Sequence, residues 1–161
     1  PKKSFKAGDS QVASRWGNIT EFKNFDLITP NEREARFSLA DQDSTVGKLS
    51  AMLYDKTKYK NLILKLGSRG IFCIDSRSKK RIPFSVGVFA ENILDTVGTG
   101  DALLAYSTLS LKVSNSLVKA SIIGSFAASC ACEMEGNKPI DVENIINKIK
   151  QIEKKINYIH K

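Results

Sequence analysis

Asp95-Thr96-Val97-Gly98-Thr99-Gly100-Asp101 stands immediately before the largely apolar run Ala102 to Leu111, and the chemistry of these seven residues sets the fold to be expected around them. Two glycines flanking a threonine at a helix start leave backbone N–H groups without carbonyl partners, aimed at one spot where the helix dipole also favours negative charge. Such a nest holds a phosphate and stabilises charge developing on a phosphoryl group in transfer. Asp101 falls within a turn of that anion site. Its carboxylate does not favour an anion, so it needs another task, and accepting the proton of an attacking hydroxyl supplies one. The plainer alternative makes Asp95 and Asp101 helix caps and the glycines a simple turn.

Upstream of this segment the pattern alternates. Ser4 to Ala7 reads as a strand, and Phe25-Asp26-Leu27-Ile28-Thr29, closed by Pro30, as a buried one. A helix follows over Asn31 to Leu39, with Glu32 and Glu34 at the positive end of its dipole, and a second over Val46 to Lys56, with Val46, Leu49, Met52 and Leu53 at helical spacing. Leu62 to Leu66, the turn Gly67-Ser68-Arg69-Gly70 and Ile71 to Ile74 read as strand, turn and strand. A third strand near Arg81 to Phe84 would sit at a sheet edge, where Pro83 is tolerated.

Downstream the pattern is helical. After Ala102 to Leu111 comes Leu117 to Glu135, rich in Ala, Ser, Gly and Cys, which lets a neighbouring backbone or a flat ligand approach closely; Gly136 is expected to end it. The last helix, opened by Pro139 and Asp141, carries Val142, Ile145, Ile146, Ile149, Ile152 and Ile156 on one face, expected to pack. Strands alternating with helices, then a meander, then helices, predict a layered α/β sheet.

At 161 residues, with 42% hydrophobic and 26% charged residues, the chain is the size of one globular domain, read as 1–161. No apolar stretch approaches the roughly 18 to 20 residues of a membrane span, and no signal-peptide layout opens the chain, so a cytoplasmic location is expected. The three cysteines, Cys73, Cys130 and Cys132, lack C-x-x-C spacing and are expected to be buried thiols. The single histidine, His160, lies next to the end, which argues against histidine-based catalysis. The net charge of +8 raises nucleic acid as a partner, but Lys23, Lys48, Lys79, Lys119 and Lys150 are scattered rather than grouped beside aromatics. The excess reads better as solvated surface that also attracts anionic nucleotides.

The heptapeptide resembles the second signature of the ribokinase-like carbohydrate kinases, the PfkB family, usually D-T-x-G-A-G-D; Thr99 stands where alanine is usual. Thr29-Pro30-Asn31-Glu32-Arg33-Glu34-Ala35 is similar to the family's T-P-N-x-x-E-A, and Leu64-Lys65-Leu66-Gly67-Ser68-Arg69-Gly70 to its L-G-x-x-G turn, with Lys65 where threonine is frequent. Ser125 to Gly136 is similar to the small-residue helix and glycine that wall its adenine pocket. The likeness runs from Asp9-Ser10-Gln11 to the last helix, and its wording is nearest the branch that includes heptose-phosphate kinases.

The resemblance implies a ribokinase-like α/β/α fold, here its C-terminal nucleotide-binding portion, and transfer of a phosphoryl group from ATP to a hydroxyl of a sugar or sugar phosphate. It gives Asp101 the role of catalytic base and Gly98, Thr99 and Gly100 that of anion hole. Lys65, Gly67, Gly70, Ser125, Ala128 and Gly136 would border the nucleotide, Asn31 and Glu34 would hold Mg²⁺ through its waters, and Asp95 would lie near a monovalent cation such as K⁺. Family members run to about twice this length, with the sugar pocket and a β lid in the other half, so the chain alone is expected to bind nucleotide poorly and turn over nothing. A sheet beginning at Ser4 to Ala7 would expose a strand edge that invites association, as in a homo-oligomer. A nucleotide-binding regulatory module without chemistry is the alternative of a different class.

Overall fold

A computed structural model describes residues 4–10, 12–13, 16–136 and 138–159. Within the chain, contacts group into two compact units, Pro1–Gly87 and Val88–Lys161.

The first unit holds a five-stranded mixed sheet. Its strands are β1 (Ala7–Gly8), β4 (Leu27–Ile28), β5 (Asn61–Lys65), β6 (Ile71–Asp75) and β7 (Phe84–Val86), in the order β1-β4-β5-β6-β7. The first three run parallel, and β6 and β7 add antiparallel. A separate antiparallel pair joins β2 (Val12–Ala13) to β3 (Trp16–Gly17). The edge strand expected at Ser4 to Ala7 forms at Ala7–Gly8, starting three residues later, because Gly8 pairs with Ile28 whereas the Lys6 amide donates to the Asp26 side chain at 2.8 Å and its carbonyl accepts from the Asp26 and Leu27 amides.

Helices α1 (Glu32–Leu39) and α2 (Val46–Thr57) cover one side of this sheet. Ile28, Leu62 and Leu64 pack with Ala35 of α1 and Leu49 and Leu53 of α2 in one fully buried cluster. Alternation along the strand turns Ile63 to the opposite face, where it is equally buried. A β5 buried on both faces explains why Leu62-Ile63-Leu64 is an unbroken apolar run. Both helices stop at a residue in the left-handed region, Ala40 and Lys58, whose amides return to the last turn.

The link between β5 and β6 is a 3₁₀ turn, Gly67–Arg69, and Leu66 N donates to Gly70 O at 2.8 Å. Gly70 is required twice over: its φ is +79°, and a Cβ there would lie 2.1 Å from the Val86 carbonyl oxygen of the adjacent strand. That strand, expected at Arg81 to Phe84, begins only at Phe84. Arg81 has a left-handed φ of 42° and Pro83 has no amide to donate, so pairing with β6 starts past the proline, at Phe84 opposite Cys73.

The second unit is helical: α3 (Thr99–Ser114), α4 (Leu117–Cys132) and α5 (Val142–Ile159). Only Asn115 and Ser116 separate α3 from α4, so the two form a hairpin; Ser116 Oγ accepts from the Lys119 amide as the α4 cap. The small residues of α4 receive α3 itself. A Cβ on Gly124 would lie 1.9 Å from Ser107 Oγ, and that hydroxyl donates to Ala120 O at 3.2 Å.

Two expectations are corrected in this unit. Gly136 does not end α4. The helix stops at Cys132, whose carbonyl accepts from the amides of Leu94 at 2.8 Å and Asp95 at 3.2 Å, and Gly136 bends the following loop with φ +78°. The apolar stripe of α5 also packs only in part. Ile145 is 4% exposed and Ile149 and Ile152 join Phe126 and Ala127, while Val142, Ile146 and Ile156 stay exposed. The six residues span a wide arc of the helix, and only one side of it meets α4. Cys73, Cys130 and Cys132 are buried thiols outside any disulfide, and burial pushes the thiols of Cys130 and Cys132 up. His160 and Gln11 lie outside the described residues. Among the described residues no helix is long and apolar enough to cross a membrane.

Candidate active site

The head of α3 is built from backbone. Asp95 Oδ1 accepts from the Val97 amide at 2.9 Å, closing a side-chain turn that leads the chain into Gly98, whose φ is 77°. The Gly98 carbonyl then accepts from Ala102 N at 2.9 Å, the first bond of the helix. Thr99 donates its amide to Thr96 O at 3.3 Å. Among the described residues the amides of Gly98, Gly100 and Asp101 meet no backbone or side-chain acceptor, which is the condition for an anion nest at the positive end of a helix. Asp101 is exposed in the first turn. The segment is held from behind by the Leu94 and Asp95 amides on the end of α4. Thr99 adds what the sequence did not signal, a buried Oγ1 with no hydrogen-bond partner among the described residues.

In the first unit the residues at the start of α1 form a corner. Asn31 Oδ1 accepts from Glu34 N at 2.8 Å, and Glu34 Oε2 accepts from Asn31 N at 2.7 Å. Ser10, 2% exposed, also donates its hydroxyl to Glu34 Oε2, at 3.4 Å. Lys65, at the end of β5, is brought alongside because its amide donates to Pro30 O at 2.9 Å and its backbone bridges to Asn31. Its ammonium is ion-paired with Asp9. Burial holds the Glu34 carboxyl above its ordinary value, against the lowering by the Asn31 amide and the Lys65 charge. Asn31, Glu32, Arg33, Lys65 and Gly67 line an open cleft of about 500 Å³ beside this corner; Gly70 is buried under β7 instead. No local spacing links Ser10 to Glu34, 24 positions away, or Asp9 to Lys65, 56 positions away, so these two partners carry no signal in the sequence.

Of the remaining candidates, Ser125 and Ala128 lie three residues apart on α4 and so share a face. Ser125 is 6% exposed and its Oγ has no hydrogen-bond partner among the described residues. Gly136 is exposed, four residues past the helix end.

The corner fits magnesium through water rather than as a cage. Among the described residues no group of three or more His, Cys, Asp or Glu side chains converges, whereas a carboxylate and an amide beside an open cleft suit an ion that keeps its waters and leans on nucleotide phosphates.

The mixed sheet with its flanking helices is a ribokinase-like α/β fold. It matches the structure of Arabidopsis thaliana ribokinase complexed with ribose and ATP with a TM-score of 0.74 and 20% identity, covering 89% of this chain and 47% of that one. Phosphofructokinase-2 from Escherichia coli, in complex with potassium, matches with a TM-score of 0.71 and 22% identity over 83% of this chain and 43% of that one. Residues 8–143 match the pfkB family carbohydrate kinases, and the chain belongs to that family. The bifunctional protein HldE of Campylobacter fetus is 28% identical over 146 residues, 86% of this chain and 31% of that protein. The chain thus spans less than half the length of each of these three relatives.

Proposed function

We propose that this chain supplies the nucleotide- and phosphoryl-handling part of an ATP-dependent kinase for a hydroxyl of a sugar or sugar phosphate. The observation that carries the reading is the set of partnerless amides at Gly98, Gly100 and Asp101 with the exposed Asp101 carboxylate in the same turn. The acceptor oxygen attacks the γ-phosphorus of ATP, its proton passes to Asp101, and the bond to the bridging oxygen breaks to leave ADP. The Gly98 to Gly100 backbone receives the charge of the transferring group. Asn31 and Glu34 hold water around magnesium, which when bound neutralises the nucleotide oxygens; Asp95 serves a monovalent cation such as K⁺. Lys65 and Gly67 border the phosphates, with Gly70 shaping the turn that carries Gly67, and Ser125, Ala128 and Gly136 border the base. The heptose-phosphate kinase branch is favoured for the acceptor by motif wording and by the likeness to HldE.

The test has two arms. Calorimetry of this chain with ATP and Mg²⁺ reads nucleotide binding. In the full-length protein, Asp101→Asn is expected to cut phosphoryl transfer by roughly 10²-fold with little change in ATP binding. Undiminished transfer would remove Asp101 as the base, and ATP binding without transfer to any acceptor would assign a nucleotide-binding regulatory module instead.

A further inference from the structure

Lys65 is an ammonium placed among carboxylates. It ends β5 next to Asn31, and with side-chain exposures of 20% and 18% it and Asp9 form a largely buried ion pair. Glu34 lies close enough to feel both charges. Among the neighbouring cations, Arg36 pairs with Glu32 and Asp41 and Arg69 with Glu32, while Arg33 is exposed on the rim of the cleft. Two carboxylates and one ammonium leave the corner with a net charge of about −1, where the carboxylates alone would give about −2.

We propose that Lys65 is a resident counter-ion of the Asp9 and Glu34 carboxylates, occupying electrostatically the place of a free divalent cation, so that metal enters this corner together with nucleotide phosphates rather than ahead of them. The inference rests on the reading of Asn31 and Glu34 as the residues that face magnesium. A fixed ammonium repels a divalent ion twice as strongly as a monovalent one, and this pair is shielded from solvent enough for that repulsion to persist. When the ion arrives already chelated, phosphate charge cancels the repulsion, and the ammonium's spare donors can reach phosphate oxygens.

The experiment titrates Mn²⁺ alone into this chain, followed by electron paramagnetic resonance. Lys65→Thr is expected to bind Mn²⁺ at least tenfold more tightly than the unchanged chain, Lys65→Arg to match the unchanged chain, and Lys65→Thr with Asp9→Asn to lose the gain. Equal Mn²⁺ affinity in Lys65→Thr and the unchanged chain, or a gain that survives Asp9→Asn, would overturn the inference. Circular dichroism checks each fold, and Lys65→Met serves if the threonine variant does not fold. Failure of the underlying metal reading has a separate signature, an unchanged affinity for Mn²⁺–ATP in Glu34→Gln.

Discussion

Asn31 and Glu34 hold each other across the first turn of α1, side chain to amide in both directions, at 2.8 and 2.7 Å. This capping box satisfies two backbone donors and fixes in one geometry the two residues proposed to face the metal. Asn31→Ala should lower stability by about 1 kcal/mol, read by urea denaturation, and Asn31→Asp should keep most of it.

Glu34 carries a pH dependence of definite sign. Its carboxyl is raised chiefly by burial, so the ionised form is disfavoured in the folded chain. The stability associated with this group is full below the ordinary carboxylate value and is lost as pH rises through the raised one. Glu34→Gln keeps an oxygen that can accept from the Asn31 amide. Its melting temperature should equal or exceed that of the unchanged chain at pH 7, and the difference should shrink towards pH 4, checked by thermal denaturation at both.

Where α3 crosses α4, Gly124 leaves no room for a methyl group against Ser107 Oγ and the Leu103 carbonyl. Gly124→Ala should destabilise by about 2 kcal/mol through overpacking. Adding Ser107→Ala removes the nearest atom and should recover part of the loss, a coupling that a double-mutant cycle in denaturant measures directly.

Lys148, 4% exposed, donates to both oxygens of Glu133, at 2.7 and 2.8 Å, just past the end of α4. Glu133→Gln strands that ammonium and should cost about 3 kcal/mol. Lys148→Met in the same background removes the stranded charge and should restore most of the stability; denaturation midpoints of the three variants decide it.

What could be read from the sequence was whatever depends on near neighbours along the chain. The helix that starts at Thr99 follows from glycines and an apolar run that adjoin it, and α1 from Asn31 and the acids of its first turn. β5 was legible because three consecutive apolar residues are bounded by turn formers. The misplaced elements share a different cause. The β7 start depends on which residues can reach the β6 ladder past Pro83, and the α4 end on a carbonyl claimed by Leu94 and Asp95, both decided by distant partners.

By itself, then, the sequence determined the glycine-bearing start of α3, the capped start of α1 and the family, because backbone geometry and hydrogen bonds within a turn follow from local residue types. Tertiary structure alone decided that Lys65 meets Asp9 from 56 residues away, that Ser10 reaches Glu34, and that Gly124 receives Ser107. Those meetings depend on the path of the whole chain, which strand order and helix packing set and no local pattern encodes.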